Sequence, residues 1–244
     1  MQKKNIPKII HYCWFGNNPM PKIVKDCIKS WETKCPDYKI KLWNENNFDF
    51  NENEYVKQAY DAKKWAFVSD FARLFIIYNE GGVYLDTDVE LLKKLDSLLE
   101  YDAFFAKEDD VNFNTGIGFG AKKHNNIVKK MLDSYNDKKF ITKDGYDLTP
   151  CPITNTKVIN DLYPNMDLCD KKIIDNVCFL SKEYFCPIDY ETGKKKITKN
   201  TIAIHHFSQS WLTRKDKIKH FVKKCLILLI GRNNAKKIIK KIKK

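Results

Sequence analysis

"AFVSDFARLFIIYNEGGVYLDTDVE", residues 66–90, carries a helical apolar pattern, a paired glycine, and then a strand pattern holding two carboxylates. Ala66, Phe67, Phe71, Leu74, Phe75 and Tyr78 recur at helical spacing. Gly81 stands where a left-handed cap would end that helix. "VYLDTDVEL" then alternates as a strand does. Alternate strand residues share a face, so Val83, Leu85, Thr87 and Val89 point one way while Tyr84, Asp86 and Asp88 point the other. Two carboxylates on one face repel unless something positive lies between them. A hard divalent cation is a natural partner, because Mn²⁺ or Mg²⁺ takes carboxylate oxygens and keeps positions open for phosphate oxygens. A bare D-x-D is short, however, and two carboxylates capping a strand at the surface also satisfy it.

Outward from this stretch the pattern is α/β. "IPKIIHYCWFG" predicts a first strand over 8–13. "MPKIVKDCIKSWETKCP" predicts a helix with Ile23, Cys27, Ile28 and Trp31 on one face, and "YKIKLWNENN" a second strand. A β-α-β opening points to an α/β sheet. A single helical pattern runs over 54–79. Downstream, "LKKLDSLL" reads as a helix, "DAFFA" and "GIGFGA" as strands, and a helix follows with Ile127, Met131 and Leu132. Residues 140–200 are weakly periodic and read as a mixed lobe, and "TIAIHHF" as a last strand.

At 244 residues the chain can bury roughly 70% of its unfolded surface, enough for a core without disulfide staples. Its eight cysteines are scattered with no C-x-x-C spacing, which argues against a zinc site. "MQKKNIPKII" has no leader character, so a reduced, cytoplasmic compartment is expected. The net charge of +13 is concentrated in 213–244, which hold 13 basic residues and one acid; the other 212 hold 31 basic and 30 acidic. The expected division is therefore a domain over 1–212 and a basic tail over 213–244. Ile218, Phe221, Val222, Cys225, Leu226 and Leu229 form an apolar stripe in that tail, and Ala235, Ile238, Ile239 and Ile242 a second, as in basic amphipathic helices. The apolar run "CLILLI" is far short of the ~20 residues needed to span a bilayer.

Ahead of the glycines, "SDFARL" places Ser69, Asp70 and Arg73 along one helix face. A solvated Asp–Arg pair at i, i+3 is the ordinary reading. On a helix this rich in aromatics there is little surface to spare, and buried charges require partners. That favours a polar cluster with a task.

The whole of residues 66–90, with Ala, Ser-Asp, Arg, Gly-Gly, Tyr and both Asp in register, resembles the signature of the DXD sugar-binding glycosyltransferases, family 32. That family includes Golgi mannosyltransferases and bacterial capsule and lipopolysaccharide enzymes, and is similar to the catalytic core of large glucosylating toxins. "IPKIIHYCWFG" and "IHHFSQSW" resemble its opening and closing segments, so the resemblance covers about 5–212. It implies a GT-A fold, a Rossmann-like sheet binding a nucleotide-sugar at the carboxyl ends of its strands, with a mixed acceptor lobe. By the same resemblance Asp86 and Asp88 would hold Mn²⁺ or Mg²⁺ against the donor's pyrophosphate, with Tyr84 beside them. Ser69, Asp70 and Arg73 would line the donor site, Asp70 and Arg73 bonding the sugar hydroxyls, and Trp14 would stack on the base. Of the adjacent His205 and His206, His206 is expected in the metal shell and His205 as its packed partner. Ser210 and Trp211 would contact the leaving phosphate, and Asn114 the sugar and acceptor side. The catalytic set is thus Asp70, Arg73, Asp88 and Trp211. The family's Gly-Pro element is absent: "DLTPCPITNT" stands there, which leaves the acceptor site unassigned.

The expected activity is retaining transfer of a hexose, from a UDP-sugar rather than a GDP-sugar, to a glycan or lipid-linked oligosaccharide in surface or capsular polysaccharide synthesis. No covalent nucleophile emerges, so attack on the same face as departure is the working expectation. The tail's apolar stripes favour an anionic membrane surface at the inner face over nucleic acid, with packing on the domain as the alternative. "VYLDTDVE" also fits a haloacid-dehalogenase-type phosphatase, with Asp86 as nucleophile, but that leaves "SDFAR" unexplained. A non-enzymatic basic binding protein is the other rival.

Overall fold

The computed structural model describes residues 5–208 except 165 and 191, together with Gly231. Ser210, Trp211 and the basic tail, Gly231 apart, lie outside the described residues.

The opening β-α-β unit is present. β1 (Ile9–Cys13) and β2 (Lys39–Trp43) run parallel, from Ile9 opposite Lys39 to Cys13 opposite Trp43, with α1 (Lys22–Lys34) crossing between them. The expected face is present: Cys27 and Trp31 are buried and Ile23 and Ile28 pack, partly buried, against the same core, with Val24 buried as well.

The helical pattern over 54–79 resolves into α2 (Glu54–Asp61) and α3 (Trp65–Glu80). The break falls at Lys63, whose φ of 55° no helix tolerates. α3 buries Asp70 and Arg73 along with Val68, Phe71, Leu74 and Ile77. It ends at Gly81, at φ 69° and ψ −175°, a region open essentially to glycine alone. The next strand starts so close to β1 that a Cβ on Gly82 would lie 2.8 Å from the Ile9 carbonyl oxygen.

β3 (Gly82–Tyr84) lies parallel to β1 on the side away from β2. The expected continuous strand stops there: β4 (Val89–Leu91) belongs to a second sheet, and the acidic residues lie in the turn between. α1 anchors β4, for Trp31 Nε1 donates to the Val89 carbonyl at 2.6 Å and the Leu91 amide donates to Ser30 Oγ at 2.9 Å. "LKKLDSLL" forms only a 3₁₀ turn, Asp96–Leu98.

The remaining elements are β5 (Ala103–Ala106), β6 (Phe119–Ala121), α4 (Asn126–Asp133), the β7 (Ile141–Thr142) and β8 (Gly145–Tyr146) hairpin, and α5 (Cys151–Leu162). β9 (Lys171–Ile174), β10 (Val177–Leu180), α6 (Lys182–Phe185) and β11 (Ala203–His205) follow. The main sheet has the order β2-β1-β3-β6-β5-β10-β9. It is mixed: β6 runs antiparallel to both its neighbours, β9 antiparallel to β10, and β5 parallel to β10. Residues 140–200 are thus no separate lobe, since β9 and β10 complete the main sheet. β11 pairs antiparallel with β4 in the second sheet.

Strand alternation assigns the two faces of the main sheet. Tyr84, Phe105, Phe119 and Phe179 pack with α2 and α3, and Val83, Phe104, Cys178 and Leu180 pack with the α1 side. All seven described cysteines are free thiols. No helix among the described residues is long and apolar enough to cross a membrane.

Candidate active site

The carboxyl ends of β1 and β3 open onto a cleft of about 2070 Å³, well beyond the ~300–1,000 Å³ that holds one small ligand. Its floor is the turn after β3. The Leu85 amide still bonds to the His11 carbonyl at 3.1 Å and the Asp86 amide to the Gly116 carbonyl at 2.9 Å; Val89 N then closes onto the Asp86 carbonyl at 3.0 Å. Asp86 and Asp88 therefore do not share a strand face. Each is held by a different set of neighbours.

Asp86 belongs with α3. Arg73 Nη2 lies 3.1 Å from Asp86 Oδ1, and Arg73 Nη1 lies 3.1 Å from Asp70 Oδ1. The guanidinium sits 5.1 Å over the Tyr84 ring, and the Tyr84 hydroxyl donates to Asp86 Oδ1 at 3.2 Å. Arg73 is 4% exposed. Burial opposes its charge, but Asp86, Tyr84 and Asp70 outweigh that and hold it firmly protonated. Burial pushes the Asp70 carboxyl up against the pull of Arg73. One cation thus lies between Asp70 and Asp86, a different carboxylate pair from the Asp86–Asp88 pair expected to share a metal.

Asp88 belongs with the far end of the chain. His205 Nε2 lies 3.3 Å from Asp88 Oδ1, and the Ser208 amide donates to Asp88 Oδ2 at 2.7 Å. Burial pushes this carboxyl up, yet His205 and the Ser208 amide hold it well below the usual carboxylate range. Burial likewise opposes protonation of His205, and Asp88 overrides it.

The histidine assignment reverses. His205 faces Asp88 and the cleft, whereas His206 turns away to Glu90, at 2.9 Å from Oε2. Adjacent strand residues face opposite sides, and pairing with β4 decides which side is which. Tyr84 is also corrected: at 1% exposure it lies behind Asp86 and orients it, touching no cleft space.

Trp14 and Ser69 line the cleft as expected, Trp14 fixed by its Nε1 donating to the Asn18 carbonyl at 2.7 Å. Asn114 is there too, donating from Nδ2 to Glu108 Oε2 at 2.7 Å. Cys151 and Glu108 are among the lining residues that were not foreseen. Cys151, first residue of α5, receives a contact from Arg73 Nη1 at 3.4 Å; its only signal was the departure from the Gly-Pro pattern. Glu108 had none, because "KEDD" reads as an ordinary exposed loop.

No group of three or more His, Cys, Asp or Glu side chains is gathered as a metal cage among the described residues. What is present is one contacting pair of donors, Asp88 with His205, and a third carboxylate on the same cleft, Asp86, whose Oδ2 lies where a Cβ on Gly116 would be 2.2 Å away. Oxygen and imidazole donors with room for phosphate oxygens fit a divalent cation completed by its ligand.

Comparison with known proteins bears on this arrangement. The family described as "Glycosyltransferase sugar-binding region containing DXD motif" matches residues 21–105. Inositol phosphoceramide mannosyltransferase 3 of Schizosaccharomyces pombe is 33% identical over 127 residues, 50% of this chain and 35% of that protein. Mannosyl phosphorylinositol ceramide synthase SUR1 of Saccharomyces cerevisiae is 31% identical over 142 residues, 56% of this chain and 37% of that protein. The chain thus spans little more than a third of these two relatives' length. An uncharacterized glycosyltransferase, L373, of Acanthamoeba polyphaga mimivirus is 30% identical over 204 residues, 75% of this chain and 77% of that protein. Among solved structures, the PaToxG glycosyltransferase superposes with a TM-score of 0.52 at 20% identity, over 66% of this chain and 71% of that one, a likeness of fold.

Proposed function

This chain belongs to the glycosyltransferases that carry the DXD sugar-binding region, built on the GT-A fold, and on that premise we propose that it transfers a hexose from a nucleotide-sugar to an acceptor hydroxyl. One observation carries the reading. Asp70, Arg73, Asp86, Asp88 and His205 line a single cleft although they come from α3, the turn after β3, and β11.

In this reading Asp88 and His205, already in contact, would hold a divalent cation together with Asp86 and the ligand's own phosphate oxygens, and the cation would supply positive charge against the departing nucleoside diphosphate. Arg73 spends its fork on Asp70, Asp86 and Cys151, so its part is to fix two carboxylates at the sugar's edge. Asp70 and Asp86 then accept hydrogen bonds from sugar hydroxyls, charge-assisted and already oriented. Trp14 stacks on the base. Asp86 Oδ1 is engaged by Arg73 and Tyr84, which suits a ligand-holding carboxylate and not the free nucleophile a phosphatase needs. With no free nucleophile assigned, the acceptor hydroxyl attacks on the face the diphosphate leaves, retaining configuration; NMR of the new linkage tests this.

The yeast relatives' names say mannosyltransferase and ceramide. GDP-mannose is therefore the first donor to test, ahead of the UDP-sugar expected from the sequence, and a lipid-linked acceptor ahead of a soluble one. A tail docked on anionic lipid at the cytoplasmic face would suit such an acceptor. The deciding experiment is a panel of GDP- and UDP-sugars with Mn²⁺, scored for metal-dependent hydrolysis and transfer in the full chain and in Asp88→Asn. Turnover of no donor, or turnover indifferent to Asp88, would sink the reading.

A further inference from the structure

Glu108 stands in the loop between β5 and β6 and lines the cleft with Asp86, Asp88 and His205. The roles assigned above leave it without a part. Its half-buried carboxylate accepts one side-chain hydrogen bond, from Asn114 Nδ2 to Oε2 at 2.7 Å. No lysine or arginine among the described residues pairs with it. Lys107 Nζ donates instead to the Asp110 carbonyl, and Lys182 pairs with the Asp110 carboxylate. Burial pushes the Glu108 carboxyl up, against the pull of Asn114 and His205. Withdrawing a carboxylate from water with no cation bonded to it is unfavourable, so a second partner is expected for its other oxygen.

The loop presents this group rigidly. Lys107 N bonds to the Leu180 carbonyl at 2.9 Å, Glu108 N to the Asn112 carbonyl at 2.9 Å, and Asn114 N to the Ala106 carbonyl at 3.1 Å. α5 braces it from the other side: Phe113 N donates to Thr156 Oγ1 at 2.8 Å, and Asn155 Nδ2 to Thr115 Oγ1 at 2.9 Å. Asn114 is oriented without ambiguity. The Gly116 amide, which can only donate, lies 2.6 Å from Asn114 Oδ1, so Nδ2 must face Glu108. That leaves the second amide N–H of Asn114 and the Oε1 of the Glu108 it bonds without a hydrogen-bond partner among the described residues.

A spare donor and a spare acceptor on two bonded side chains match a hydroxyl, which both donates and accepts. We propose that Glu108, with the remaining N–H of Asn114, binds a sugar hydroxyl at a second edge of the cleft, distinct from Asp70 and Asp86. The inference rests on the glycosyltransferase reading of the cleft. The hydroxyl belongs either to the transferred hexose or to the acceptor sugar, and the experiment separates the two.

Glu108→Gln and Glu108→Ala are made in the full chain, with thermal unfolding as the check on folding; Gln keeps an oxygen for Asn114. Calorimetric titrations compare GDP and UDP with GDP-mannose and UDP-glucose, and transfer is assayed with methyl glycosides as acceptors. If the donor's hexose is bound, affinity for the nucleotide-sugar falls about 10- to 100-fold while that for the bare nucleotide stays within about twofold. If the acceptor is bound, donor affinity is unchanged and the methyl glycoside KM rises by a similar factor. Unchanged affinities and KM values, or equal weakening of nucleotide and nucleotide-sugar, overturn the proposal. A wild-type chain that binds neither nucleotide-sugar overturns the underlying reading, an outcome distinct from loss confined to the variants.

Discussion

Asp86 and Asp88 occupy one turn, yet they are held in opposite ways. Asp86 draws on Tyr84 and Arg73, 2 and 13 residues away, and Asp88 on Ser208 across 120 residues, together with His205. The first half of the site is built by one helix, one tight turn and one strand. The second exists only when β11 pairs with β4. The contrast also separates two means of handling charge. A buried arginine is shared by Asp70 and Asp86, whereas Asp88 is held by an imidazole and a backbone amide.

The comparison is broken most severely by Arg73→Ala. It leaves Asp70 and Asp86 without their cation, and loss of one partner from a buried ion pair costs about 3–5 kcal/mol. Urea denaturation should show a loss of that order for Arg73→Ala and a smaller one for His205→Ala, because Asp88 keeps the Ser208 amide. Equal losses would mean that the two halves are not built differently.

Next comes activity in the second half. Asp88→Asn and His205→Ala should each lower donor turnover on the order of 10²–10³-fold, the scale of removing one preorganised electrostatic group. His206→Ala, which loses only a Glu90 contact, should leave turnover within about twofold, far below that scale. A larger defect at His206 than at His205 would restore the sequence-based assignment.

A pH experiment probes the anchor of the first half. His11 is wholly buried, its Nε2 donating to the Gly81 carbonyl at 2.9 Å while Nδ1 accepts from Trp43 Nε1 at 3.0 Å. Burial lowers its pKa to about 4 from an ordinary 6.5. The folded state therefore prefers the neutral ring, and its contribution is complete above about pH 6.5, where both states are neutral. As pH falls from there toward about 4, the unfolded chain gains a proton that the folded one refuses, and up to about 3 kcal/mol is lost. Denaturation curves for His11→Asn should lack this part of the wild-type slope.

The finest test is Gly116→Ala. Its Cβ would meet Asp86 Oδ2 at 2.2 Å and Arg73 Nη1 at 2.9 Å, so Asp86 must shift. Turnover should fall on the order of tenfold, below the ~10²-fold that a 1 Å misplacement can cost, with little change in unfolding midpoint.

Much of the first half was legible in the sequence because its determinants are local. The spacing of Ser69, Asp70 and Arg73 on a helix, the glycine pair, and the approach of a strand to Asp86 all follow from short-range periodicity. Legibility failed where tertiary contacts override a pattern. "VYLDTDVEL" alternates throughout, yet Val89 and Leu91 leave the main sheet because Trp31 and Ser30 bind the backbone of β4. Tyr84 alternates with Asp86, yet the packing of α3 buries it. Residues 140–200 had weak periodicity because β10 is buried on both faces beside β5 and carries no polar alternation.

What the sequence determined by itself was the helix, the glycine turn and the strand that deliver residues 69–88, and the family resemblance, because helix period and turn geometry act over a few residues. Which histidine meets Asp88, how Asp86 came to share Arg73 with Asp70, and why Glu108 and Cys151 enter the cleft were decided only by the fold. Those relations depend on strand pairing and burial between segments up to 120 residues apart, and no local pattern encodes which distant group will supply a buried charge with its partner.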